Sequence, residues 1–285
     1  MKVPEFDTFI AVDWSGAKGK FQKGIKLAKA CLGNSSPRII SPPNGGNWSR
    51  DNVVHYLNEM SKSTRTLVGF DFSFSGPFMD EGAYFPERDA GVCVKSHWKK
   101  VEDLCQGDDH LYAGSLVAHD LYTPHFLTPK LKGENFKRRF RETEIICREK
   151  GFGRAESMFH LIGPSQVGLG SYSGMRALLR LKGYDVWPFD KMGGGSTAVE
   201  IYTRLFLTKA GVGHKKVRDV LSLNEALRSL NSEGVETSLD IDDHVSDAIL
   251  SAAGLRAIQN DPKVWSPSGL SDKVRQTEGW VFGVI

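Results

Sequence analysis

Phe9-Ile10-Ala11-Val12-Asp13-Trp14-Ser15-Gly16 decides how the chain is read: an apolar, strand-forming run ends on an acid, and a turn follows at once. Thr66-Leu67-Val68-Gly69-Phe70-Asp71 repeats the device, with Ser73, Ser75, Gly76 and Pro77 breaking the strand beyond the acid. Thr197-Ala198-Val199-Glu200-Ile201-Tyr202, opened by Gly193-Gly194-Gly195, sets a third acid inside a β-branched stretch. Burial of that carboxylate is costly unless it is paired or ligated. The fourth piece, running from Asp242 to Leu255, reads as a helix with Asp243 and Asp247 one turn apart on one face. Ser251 and Gly254 continue that face, and a glycine there predicts close approach to something flat, the sheet. The helix macrodipole accounts equally well for Asp243; Asp247 lies too deep in the helix for that.

Carboxylates that converge from strand tips repel one another unless a divalent cation lies between them. Asp13, Asp71, Glu200 and Asp247 are therefore the candidate ligands of a metal site, with Asp243 a further candidate.

The rest of the pattern predicts a framework for those acids. Strands over about 7–13, 24–32 and 38–40 form a three-stranded antiparallel opening. Val53, Val54, Leu57 and Met60 after Ser49 predict a helix over 49–62 that delivers the chain to the Asp71 strand. A right-handed crossover then lays that strand parallel to the first. Residues 76–160 are too long for a simple link, so the expectation is one domain over 1–285 whose core is 1–75 and 161–285, with 76–160 an inserted subdomain or lid over the carboxylate edge. Further helices are expected after the Gly163–Gly174 segment and over 215–230, with a strand from Tyr184 between them.

Residues 130–150 hold eight Lys/Arg against four Glu, including Phe136-Lys137-Arg138-Arg139-Phe140-Arg141. Cations interleaved with aromatic rings suit a phosphate backbone and unstacked bases, so Lys137, Arg138, Arg139 and Arg141 are candidate nucleic-acid contacts; a solvated helix face is the competing reading. Lys18, in the turn after Asp13, is a candidate for the scissile phosphate or simply a solvated turn residue. Gly163 to Gly174 reads as a plain helix entry or an anion cradle, and lacks the Gly-Lys-Ser/Thr ending of a phosphate loop.

Composition sets outer limits. With 285 residues, 40% hydrophobic and 25% charged, the chain can bury one large core. A net charge of +3 permits nucleic-acid binding without demanding it. No stretch reaches the roughly 18 apolar residues of a membrane span, and no apolar leader opens the chain, so the expectation is a cytoplasmic protein without membrane contact. Cys31, Cys93, Cys105 and Cys147 lack C-x-x-C spacing and read as free thiols.

Val12-Asp13-Trp14-Ser15-Gly16-Ala17-Lys18, Gly69-Phe70-Asp71-Phe72-Ser73-Phe74, Val186-Trp187-Pro188-Phe189, Val199-Glu200-Ile201-Tyr202, Asp243-His244-Val245-Ser246-Asp247-Ala248 and Glu278-Gly279-Trp280-Val281-Phe282-Gly283 together resemble the domain of unknown function 429 family, predicted nucleases with a ribonuclease H-like fold. The resemblance covers most of the chain and is weakest over about 78–160; Tyr202-Thr203 stands where a Tyr-Pro step is expected. It implies an α/β ribonuclease H-like mixed sheet, three antiparallel strands then parallel ones flanked by helices, with the first and fourth strands adjacent. It also implies a metal-dependent nuclease with Mg²⁺ or Mn²⁺ held by Asp13, Asp71, Glu200 and Asp247, acting on DNA or RNA. Two other classes stay open at this level: a nucleotide phosphotransferase of the actin-like or sugar-kinase type, and a non-catalytic nucleic-acid-binding module.

Overall fold

The computed structural model describes residues 3–86, 93–163, 166–213, 215–236, 238 and 240–285. Six strands make the main sheet: β1 (Thr8–Asp13), β2 (Lys26–Cys31), β3 (Arg38–Ile40), β4 (Thr66–Phe70), β5 (Tyr184–Val186) and β6 (Ser196–Glu200). Their order is β3-β2-β1-β4-β6-β5. The first three pair antiparallel, and β4, β6 and β5 continue parallel to β1. The expected antiparallel opening and the parallel β1–β4 neighbours are both present.

Alternation along the strands sorts the core onto two faces of the sheet. Phe9, Ala11, Leu67 and Val199 belong to one apolar cluster, and Ile10, Val12, Val68, Phe70 and Ala198 to the other. The first face carries α5 (Thr203–Lys209), α6 (Val220–Ser229) and α7 (Asp243–Ile258). The second carries α1 (Arg50–Met60), α2 (Val94–Leu104) and α4 (Gly168–Leu178), while α3 (Glu142–Glu149) lies in the long connection between β4 and β5. Ser49 caps α1 through the Asn52 N–H at 3.1 Å, as its sequence predicts.

The described residues of 76–160 contribute to the core. Phe78, Tyr84, Phe85, Trp98, Val101, Phe126 and Phe159 share the apolar cluster of Ile10 and Phe70, so this segment completes the core on the α1/α4 face. The β4 strand ends in a dense aromatic stack, Phe70, Phe72 and Phe74, that the segment closes over.

Helix α7 is buried nearly all round, which its run of Ala, Ser and Leu allows. It packs across β1 and β2, but Gly254 faces elsewhere: a Cβ there would overlap the ring of Phe206 in α5. The flat surface predicted for that glycine is thus an aromatic ring on a neighbouring helix, not the sheet.

Candidate functional site

Parallel register brings the first two acids side by side. Val12 pairs with Phe70, and the Asp71 N–H donates to the Val12 carbonyl at 3.0 Å, so Asp13 and Asp71 leave adjacent strands at the same end. Val12 and Phe70 face the α1/α4 side; one residue further, the two acids turn to the α7 side. There α7 supplies Asp247 and His244. Asp242 caps the helix by accepting the Val245 N–H at 2.7 Å, which sets its first turn above the strand tips.

The electrostatics of Asp13, Asp71 and Asp247 are those of a crowded anionic nest. Burial pushes the Asp71 carboxyl well above the usual range, and the charges of Asp13 and Asp247 push it further. Asp247 rises to about 7 through burial first, then through Asp13 and Asp243. Asp13 is raised by burial, offset in part by His244, whose Nδ1 lies 2.7 Å from Asp13 Oδ2. That contact in turn raises the imidazole of His244. Asp71 has the Thr203 hydroxyl at 3.4 Å, and Thr203 is 3.2 Å from Ser251 Oγ. Asp247 has no hydrogen-bond or ion-pair partner among the described residues. As arranged, no group of three or more His, Cys, Asp or Glu among the described residues is gathered tightly enough to hold a metal ion. The all-oxygen donor set and the uncompensated charge nevertheless fit a hard divalent cation.

Glu200 belongs to a different arrangement. It pairs in register with Phe70, so its side chain leaves the sheet on Phe70's face, opposite Asp13 and Asp71. There it is buried against Arg141, whose Nη1 is 2.7 Å from Glu200 Oε2 and whose Nη2 bonds Oε1; the Phe74 N–H adds a bond at 2.9 Å. Burial raises the Glu200 carboxyl, and Arg141 pulls it back. Burial also opposes the charge of Arg141, and Glu144 and Glu200 more than offset it. The expectation that Glu200 completes an ion shell therefore gives way to an ion pair. Glu200 still lies close enough to contribute, least of five causes, to the raised Asp71. Asp243 is likewise occupied: Arg218 donates to it at 2.8 Å and Lys216 binds its other oxygen, which holds its carboxyl well below the usual range.

The basic cluster divides in two. Arg139 is buried, with Asp80 at 2.6 Å and the carbonyls of Pro77, Ala83 and Tyr84 taking its remaining donors. Arg141 is spent on Glu200, Glu144 and the Glu278 carbonyl. Neither guanidinium is available to a phosphate, because desolvation at these positions required internal acceptors. Lys137 and Arg138 are exposed, beside Glu81 and Glu156 respectively. Lys18 is exposed in the turn after β1. That turn is pinned by buried Arg50, which donates to the carbonyls of Ser15 at 2.8 Å and Ala17. Gly16 meets the backbone of Leu169 and Gly170 so closely that no Cβ fits, so the first turn of α4 packs on the Asp13 turn; Pro164 and Ser165 of the Gly163–Gly174 segment lie outside the described residues.

A cavity of about 370 Å³ opens beside the acids. Asp71, Glu200 and Asp247 form part of its wall, together with Arg141, Tyr202 and the 154–156 loop. His244, Thr203 and Arg50 are the residues of this region to which the sequence assigns no role, and Arg141 serves Glu200 where the sequence predicts a nucleic-acid contact. His244 is legible as a histidine between two acids at a helix start; Thr203 and Arg50 carry no local signal.

Compared with models of protein families, with curated proteins and with solved structures, the chain matches none. Among the described residues, no helix is long and apolar enough to cross a membrane.

Proposed function

We propose that the protein is a metal-dependent phosphodiesterase acting on nucleic acid, built on a ribonuclease H-like sheet. One observation carries the reading: Asp13, Asp71 and Asp247 come from three separate elements to one face of the sheet end, where burial raises all three carboxyls and the charge of Asp13 raises Asp71 and Asp247 further. Acids with raised carboxyls that line a cleft mark a functional site. The order of three antiparallel strands followed by parallel ones supports the fold reading, as does the family resemblance of the motifs that hold these acids.

Asp13, Asp71 and Asp247 would hold Mg²⁺ or Mn²⁺, which supplies a hydroxide at neutral pH and charge stabilisation at the leaving oxygen. The chain's own residues orient that shell. His244 fixes the rotamer of Asp13, Thr203 that of Asp71, and Arg50 holds the turn that ends β1. The Glu200–Arg141 pair anchors Ser73, 3.2 Å from Arg141 Nη2, in the loop beyond Asp71.

The test is a screen of divalent ions against single-stranded, duplex, hybrid and branched substrates, with ATP hydrolysis measured in parallel. Cleavage in Mg²⁺ or Mn²⁺ that chelation abolishes and Asp71→Asn removes is the expected result. ATP turnover without cleavage would transfer the site to a phosphotransferase, and binding without turnover to a non-catalytic module.

A further inference from the structure

The cavity beside the acids is lined by cations as well as carboxylates. Most of its cations are consumed: Arg141 by Glu200 and Glu144, Lys216 by Asp243. Arg154 and Lys215 are different. Both line the cavity, both are exposed, and neither has a hydrogen-bond or ion-pair partner among the described residues. They come from segments far apart in the chain, so their meeting at one opening is a product of the fold.

Two cations without partners that line the same cavity as Asp71 and Asp247 call for a ligand with its own negative group. The acids need a cation, and the pair needs an anion. At about 370 Å³ the space lies toward the small end of ligand cavities, which run from roughly 300 to 1,000 Å³. A duplex, with paired bases between two backbones, does not enter it; a single unpaired nucleotide does. Tyr202, packed on one side against the core, lines the cavity, its hydroxyl beside Gly153 in the loop that carries Arg154.

We propose that Arg154 and Lys215 form a phosphate subsite, and that one unpaired nucleotide occupies the cavity between them and Asp71, making single-stranded nucleic acid the substrate class. The inference rests on the phosphodiesterase reading and narrows its substrate. A nucleotide whose phosphate is gripped by Arg154 and Lys215 presents the neighbouring phosphodiester to Asp71 and Asp247, and the strand must be unpaired at that step to reach them.

The experiment compares the parent protein with the double variant Arg154→Gln/Lys215→Gln, and with the charge-keeping Arg154→Lys/Lys215→Arg. Binding of a nucleoside 5′-monophosphate and of inorganic phosphate is measured by calorimetry in chelator, and cleavage of single-stranded and duplex oligonucleotides in Mn²⁺. Because both residues are exposed, thermal unfolding should be unchanged; if the double variant is destabilised, the two single substitutions replace it. The expected result is nucleotide binding tighter than phosphate binding, weakened about tenfold or more by the Gln variant, with most of the affinity kept by the charge-keeping one. The Gln variant should also raise KM on single strands far more than it lowers kcat. Equal affinity in parent and Gln variant, phosphate bound as tightly as nucleotide, or duplex cut in preference to single strands would each overturn the proposal. Cleavage that ignores Arg154 and Lys215 sinks the subsite and leaves the phosphodiesterase reading standing. Nucleotide binding that depends on them, in a protein that cleaves nothing, does the reverse.

Discussion

Glu200, buried, and Asp71, half-buried, are acids at the ends of adjacent strands, in the wall of one cavity, yet the molecule treats them in opposite ways. Glu200 meets a guanidinium through two bonds and a backbone N–H. Asp71 meets two more carboxylates and one hydroxyl at 3.4 Å. One register step separates them, and it puts them on opposite faces of the sheet. Burial of an acid is therefore uninformative by itself; what decides between a structural and a chemical role is whether the fold supplies a counter-charge.

The strongest test of that contrast is Asp71→Asn. Removing a charge from the proposed ion shell should slow Mn²⁺-dependent cleavage on the order of 10³-fold, equivalent to about 4 kcal/mol of transition-state stabilisation. Its fold should be at least as stable as the parent's, since a repelled charge has gone. Unchanged cleavage by purified protein would show that the chemistry lies elsewhere.

Arg141→Met should do the opposite, costing about 3–5 kcal/mol of stability in urea denaturation by leaving Glu200 buried and unpaired. Much of that loss should return in the double variant Arg141→Met/Glu200→Gln. A stable Arg141→Met protein that has lost only activity would erase the distinction between the two acids.

Asp247 sharpens the comparison through pH. Its carboxyl is raised to about 7 from 3.8, so between those values the folded state binds more protons than the unfolded one, and stability falls as pH rises through that window. In chelator, the parent should lose stability from about pH 4 to about pH 7, and Asp247→Asn should show a flatter profile. Asp71 supplies the slope that remains. Saturating Mg²⁺ should cancel the loss at the upper end. Superimposable profiles for parent and variant would mean that Asp247 is solvated and ordinary.

The smallest effect belongs to the exposed half of the basic cluster. Lys137→Gln/Arg138→Gln should change stability by no more than about 1 kcal/mol, as surface pairs do. Any weakening of nucleic-acid binding should appear as a shallower salt dependence. Including Arg139 or Arg141 in the same variant would instead report unfolding, since both are buried and saturated by internal acceptors.

The sequence by itself determined the elements and the acids at their ends. Strand formers broken by Asp13 and Asp71, the Ser49 cap, and the capped helix bearing Asp247 are all local patterns, and period-two or period-3.6 burial is written within a few residues. Tertiary structure alone decided the rest. Glu200 looked like Asp71 in its local run, but its face depends on the β4–β6 register, a contact across some 130 residues of chain. Arg141 looked like its basic neighbours, and only the fold buried it against Glu200. The reason is physical: a side chain's propensity is a property of its own segment, whereas its counter-charge is supplied by whichever distant segment the core brings alongside.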